Sequence, residues 1–244
     1  MITFFKTILY EPMLNLLVFL YNNISGADLG IAIILLTIII RLILLPLSQK
    51  SIKAQKSLKT IQPEINKIKE KYEDKEKQSK AMMKLYKEHK VNPFSSCLPL
   101  LIQLPVLIAM FQVFRSGLSD AALPLYSFIK DPGTLNPIAL GFLDLSEPNW
   151  ILALITAGLQ YLQTKMMPSQ ASPSSKKGKN AGMEAMMSGQ MKFLMPAITF
   201  FIGITLPSGL ILYWLVTVLV SILQRKYTKA DSIKPEIKSN SIKK

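Results

Sequence analysis

Arg41 sits inside an otherwise uncharged apolar run, residues 30–47 (GIAIILLTIIIRLILLPL). The run is long enough to cross a bilayer, which takes about 20 apolar residues. It holds no carboxylate that could pair with the charge. A guanidinium stays protonated at any accessible pH, so burial cannot neutralise it. At the bilayer centre the cost is about 3 kcal/mol on insertion scales and more in simulations. The fold must therefore give Arg41 water, a polar groove or a passing partner. A charge so placed marks a functional site by default.

Half of the residues are hydrophobic, yet the formal net charge is +14. Both hold because they occupy different stretches. Five apolar stretches read as membrane spans: residues 30–47, 94–114, 150–167, 191–206 and 208–224. Only Pro207 separates the last two, which predicts a tight hairpin in the membrane. The remaining loops leave no room for a soluble catalytic domain. The one cysteine, Cys97, excludes an internal disulfide and a Cys-rich metal site. The one histidine, His89, excludes a multi-His site and reads as a solvated loop residue. No Ser/His pair, paired carboxylates or zinc motif lies in the spans, so neither an enzyme nor a cofactor is expected.

The lysines orient the spans. Residues 48–92 carry thirteen of them. Lys176, Lys177 and Lys179 lie between spans three and four, and the stretch after Gln224 is again basic. The segment before Gly30 holds only Lys6, and residues 116–149 hold only Lys130. The positive-inside rule puts the N-terminus outside and the C-terminus in the cytoplasm. Residues 1–29 read as an outer interfacial amphipathic helix broken near Pro12, with a cleaved signal peptide as the alternative. Residues 30–228 form the core, including a cytoplasmic hairpin at 48–92 and an external loop at 116–149. Residues 229–244 are a basic cytoplasmic tail.

Within 48–92, Leu58, Ile61, Ile65, Ile68 and Tyr72 recur at spacings of three and four, a heptad seam. Met82, Leu85, Tyr86 and His89 form a second, shorter face. The expectation is a two-helix hairpin with Pro63 as a bend or helix start, mobile enough to dock or receive a substrate. The Met-rich residues 183–195 suit either an adaptable client surface or ordinary packing. Residues 169–182 are expected to be disordered.

Polar residues recur inside the spans. Thr37 lies one turn before Arg41. Thr156, Gln160 and Gln163 share a face of span three, and Tyr213, Thr217, Ser221 and Gln224 a face of span five. Gln103 sits between Pro99 and Pro105 in span two. Each stripe could be interhelical glue. Taken with an unpaired arginine they also describe a shared hydrophilic cavity. Arg41 precedes Pro46 by five residues, about 7–8 Å at helical rise. Such a cavity would occupy the inner half of the membrane and open to the cytoplasm. The fold class is thus an all-α membrane protein, five transmembrane helices around a hydrophilic groove. An insertase that moves polypeptides and a small-solute transporter or channel both use such a cavity. The absence of an evident internal repeat disfavours the second.

At these residues the chain resembles the YidC/Oxa/Alb family of membrane protein insertases. GIAIILLTIIIRLILLPLSQKS is similar to the family's first core span with its groove arginine, here Arg41. NPFSSCLPLLIQLPVLIAMF is similar to its most recognisable signature, with Asn92, Pro93, Cys97, Pro99, Gln103 and Pro105 at the signature positions. LPSGLILYW, with Pro207, Gly209 and Trp214, followed by Gln224, resembles the final hairpin. The last span departs from the family at Val218, where asparagine is common. The large periplasmic domain and the lipoprotein signal of other members are expected to be absent. The resemblance implies five helices around a groove closed outside and open to cytoplasm and lipid, in a bacterial plasma membrane. It implies insertion and chaperoning of nascent membrane proteins, alone or beside the Sec translocon. It also implies ribosome contact through basic segments, weak here because the tail is short, and no nucleotide or metal. The residues expected to line the groove are Arg41, which the resemblance also marks, with Thr37, Gln103, Gln160, Gln163, Tyr213, Thr217 and Ser221 from the polar spacings.

Overall fold

A computed structural model describes residues 5–72, 74–89, 91–92, 98–118, 123–167 and 193–228. Pro93, Cys97, the stretch 169–182, most of the Met-rich stretch and the basic tail lie outside the described residues.

A π-helical turn, Lys6–Tyr10, runs directly into α1, Glu11–Asn23. Pro12 follows the π-helical turn directly, and Tyr10 (φ −64°, ψ −56°) and Glu11 (φ −60°, ψ −47°) before it are both helical. The helix therefore runs through the expected break, with the wider π turn taking up the proline. Leu14, Leu17 and Val18 are buried, and α1 packs along α2, Leu29–Ile43. Ile8 and Phe19 remain exposed on the outward face. Asp28 caps α2 by accepting from the Ile31 N–H at 2.9 Å.

α2 ends at Ile43, four residues before the expected end of the span. The chain then bends by 65° into α3, Leu45–Thr60, with Pro46 in its first turn. The bend falls where the backbone must prepare for a proline that cannot continue the preceding ladder. α4, Gln62–Lys71, and α5, Lys75–Glu88, complete the hairpin. Its core is Leu58, Ile61, Ile65, Leu85 and Val91, with Ile68, Met82 and Tyr86 against it. Pro63 lies in the first turn of α4, as a helix start. The seam ends at Ile68, because Tyr72 is already extended (φ −113°, ψ 113°). His89 Nε2 lies 3.2 Å from Glu64 Oε2, a tie between the two helices.

α6, Leu98–Gly117, holds Pro105 in its interior. The external segment carries a short antiparallel ribbon, β1 (Ile138–Ala139) with β2 (Leu143–Asp144). Leu140 (φ 53°) and Gly141 (φ 79°) make its turn. Asp144 accepts from the Ser146 hydroxyl and N–H, which holds its carboxyl below the ordinary value. α7, Trp150–Lys165, starts at Asn149, which accepts from Ile151 and Leu152 N–H at 3.0 Å each. α8, Phe193–Gly203, and α9, Ser208–Tyr227, follow.

Contacts at both ends fix the helix directions. The Leu140 N–H donates to Asp28 Oδ2 at the start of α2. Ser208 and Gly209 N–H groups, at the start of α9, donate to the Glu147 and Leu145 carbonyls near the start of α7. At the opposite end Ser48 bonds Gln224, and Gln55 bonds Arg225. α2, α7 and α9 therefore run parallel. α6 runs against them, since Phe114 near its end packs on Gly209. The main core lies between α1, α2, α6 and α9, around Leu17, Leu36, Met110, Val113 and Tyr213. Among the described residues α9 alone is long and apolar enough to cross a bilayer unaided, and α2 with α3 qualifies only as a bent pair.

Candidate functional site

Arg41 lies in the last turn of α2. Helical side chains lean towards the N-terminus, so the guanidinium reaches back into the bundle rather than out past its end. Its Nη2 donates to Gln103 Oε1 at 3.3 Å. Gln103 Nε2 in turn donates to the Tyr213 hydroxyl oxygen at 2.8 Å. Three helices, α2, α6 and α9, thus meet through one polar chain. Pro105 and Pro99 flank Gln103 in α6. Arg41 is partly buried and Tyr213 fully so. Among the described residues every ion pair lies in the hairpin, and none involves Arg41. The charge is held by an amide dipole, with no carboxylate among the described residues to compensate it.

The other polar residues divide. Thr37 is buried and donates to the Ile33 carbonyl at 2.6 Å, one turn back on its own helix. Ser221 donates to the Thr217 carbonyl at 2.8 Å in the same way. Thr217 is buried one turn beyond Tyr213, with its hydroxyl turned towards the Tyr213 hydroxyl. On α7, Thr156 is buried and bonds Leu152, and Gln163 is buried at the rim of the same face. Gln160 is partly exposed, but its Oε1 is buried and unpartnered. No hydrogen bond joins Gln160 or Gln163 to Arg41 among the described residues. The structure therefore unites Arg41, Gln103 and Tyr213, sets Thr37 and Thr217 one turn away, and leaves the α7 residues apart. Val218 is buried.

Pro207 caps α9. A Cβ on Gly209 would stand 2.3 Å from Phe114 Cε1, so only glycine permits this approach of α6 to α9. Trp214 is partly buried, Asn92 is exposed, and Gln224 Oε1 accepts from the Ser48 hydroxyl at 3.2 Å.

Two cavities of about 280 Å³ each lie at the end of the bundle towards which α2, α7 and α9 run. One sits between the α2–α3 bend and α9, lined by Leu42, Leu45, Gln49, Leu223 and Gln224 among others. The other is lined by Gln55, Lys56, Lys59, Met166 and Arg225. Arg41 lines neither. The second was not foreseen, because Arg225 reads as one topogenic charge among many. Its signal was the spacing: Arg225 continues the four-residue repeat of Tyr213, Thr217 and Ser221.

Residues 19–236 match the model of a family described as 60Kd inner membrane protein. A membrane protein insertase YidC from Fusobacterium nucleatum is 36% identical over 224 residues, 90% of this chain and 96% of that one. Its namesake from Pelobacter propionicus is 34% identical over 225 residues, 91% of this chain but 38% of that one. A crystal structure of an active YidC insertase with its first transmembrane domain resolved is similar with a TM-score of 0.63 at 30% identity. That match covers 90% of this chain and 47% of the crystallised one.

Proposed function

Because this chain belongs to the 60Kd inner membrane protein family, that of the YidC insertases, we propose that it inserts nascent membrane proteins into a bacterial inner membrane. In this reading α2 with the start of α3, α6, α7, α8 and α9 are five crossings around a hydrophilic groove. Arg41 makes the groove electropositive. Polar or acidic client segments enter it from the cytoplasm, and the neighbouring apolar segment moves sideways into lipid. The protein acts alone or beside the Sec translocon, with ribosomes approaching its basic cytoplasmic segments. No covalent bond is made or broken.

The observation that carries this reading is the state of Arg41. Its guanidinium is tethered to an amide, with no carboxylate among the described residues to cancel it. A fixed carboxylate would have left a client nothing to bind. The Gln103–Tyr213 chain holds the guanidinium in place while leaving its charge available.

The test is insertion of a model substrate with an acidic translocated segment. Arg41→Ala should lower its insertion about tenfold, equivalent to about 1.4 kcal/mol. Arg41→Lys should lower it less, because the charge remains although the planar fork is lost. Equal insertion by wild type and Arg41→Ala would remove the charge from the mechanism.

A further inference from the structure

The cavity lined by Gln55, Lys56, Lys59, Met166 and Arg225 has three cationic residues in its wall and no acidic one. Arg225 is 7% exposed. Its Nη1 donates to Gln55 Oε1 at 2.8 Å, and Gln55 is itself buried. Its Nε is buried with no acceptor. Lys56 is committed elsewhere: its Nζ donates to the carbonyls of Arg225, at 3.4 Å, and Thr228. Those carbonyls lie at the open end of α9, which needs donors from outside the helix. Lys59 forms no ion pair among the described residues and is exposed at the rim. Among the described residues the cavity thus pools positive charge, holds a buried donor without a partner and keeps the Lys59 ammonium unpaired at its mouth. An anion placed there supplies the missing acceptor and offsets the mutual repulsion of the cations.

Shape and position narrow the anion. Guanidinium and ammonium groups around one cavity suit the oxygens of a phosphate. Met166 and the aliphatic stems of the lysines give the wall an apolar part. The cavity opens where α7 and α9 both end, at the level where a membrane helix meets the head groups. We propose that this cavity binds a phosphate anion, presented as the head group of an anionic phospholipid in the cytoplasmic leaflet, with Arg225 and Lys59 as its ligands. The lipid source rests on the reading that α7 and α9 cross the membrane; the phosphate chemistry does not. A lipid held there would brace α3 against the end of α9.

The experiment is native mass spectrometry of the purified full-length protein released from vesicles. One set of vesicles contains phosphatidylglycerol and phosphatidylcholine, and a second only phosphatidylcholine, with or without inorganic phosphate. Phosphatidylglycerol should stay bound and phosphatidylcholine should not. Lys59→Gln, a change at an exposed side chain, should weaken retention about threefold. Arg225→Lys, which keeps the charge and loses the fork, should weaken it about tenfold. Substrate insertion measured alongside separates this proposal from the insertase reading, because Lys59→Gln should leave insertion unchanged. Equal retention of phosphatidylglycerol by wild type and both variants would overturn the site. Inorganic phosphate displacing the lipid fully at millimolar concentration would overturn the lipid as its natural occupant.

Discussion

Tyr213 is fully buried, and its hydroxyl is the far end of the chain that begins at Arg41. Removing that hydroxyl leaves the partly buried Gln103 amide without its acceptor, a loss of about 1 kcal/mol. Tyr213→Phe should therefore lower the melting temperature in detergent. It should also weaken insertion of acidic substrates, because Gln103 would be free to turn away from Arg41. Tyr213→Phe with Gln103→Leu should recover stability, as no unpaired amide remains, but not insertion. Recovery of both would mean that the chain serves packing alone. The arginine was legible in the sequence because a charge in an apolar run has few explanations. Gln103 and Tyr213 were legible as polar residues on apolar helices. Their meeting was not, because residues 62 and 110 positions apart in sequence meet only through tertiary packing. Arg225 escaped for the opposite reason: in a basic stretch a buried cation looks like its solvated neighbours.

The helices touch through small residues, as membrane helices do where no hydrophobic effect drives them together. Gly203 faces Ala153 across α8 and α7, and Gly209 faces the Phe114 ring across α9 and α6. An added methyl at Gly209 would lie 2.3 Å from that ring, so the ring or a helix must move. Gly209→Ala should destabilise the bundle by about 1–3 kcal/mol, the usual range for overpacking. Phe114→Leu in the same chain should return part of that loss, which a pair of melting curves with their single variants would reveal. Additive losses would show that the contact is not the cause. Helix existence was largely readable from apolar run length. Helix ends were not: α2 closes at Ile43 because the chain turns before Pro46, and the seam stops at Ile68 because Tyr72 leaves the helix. Both boundaries depend on backbone geometry that a hydrophobic pattern does not encode.

The two ends of the molecule differ in kind. At one end the loop carrying β1 and β2 is tied to the helix starts by Leu140 to Asp28, Ser208 to Glu147 and Tyr126 N–H to Asn15. At the other lie both cavities, the α2–α3 bend and the lysine-rich hairpin. Such asymmetry suits the proposed function, in which a client chain enters from one side only. In that proposal the lysine-rich end is the cytoplasmic one, as the positive-inside rule predicts. In a Cys97→Ser background, cysteine at Phe128, which is 79% exposed, should react with a membrane-impermeant maleimide from outside. Cysteine at Met83, 49% exposed on the hairpin, should react from the cytoplasmic side only. Cysteine at Gln160 should react from the cytoplasmic side if water fills the groove. Thr37 and Thr217 are buried, so cysteines there should react more slowly than at Gln160 and faster when a client is engaged. Reaction of Phe128 and Met83 from the same side would refute the orientation. Protection of Gln160 from both sides, with Phe128 and Met83 behaving as expected, would keep the orientation and refute the groove, because the inward face of α7 would then be dry.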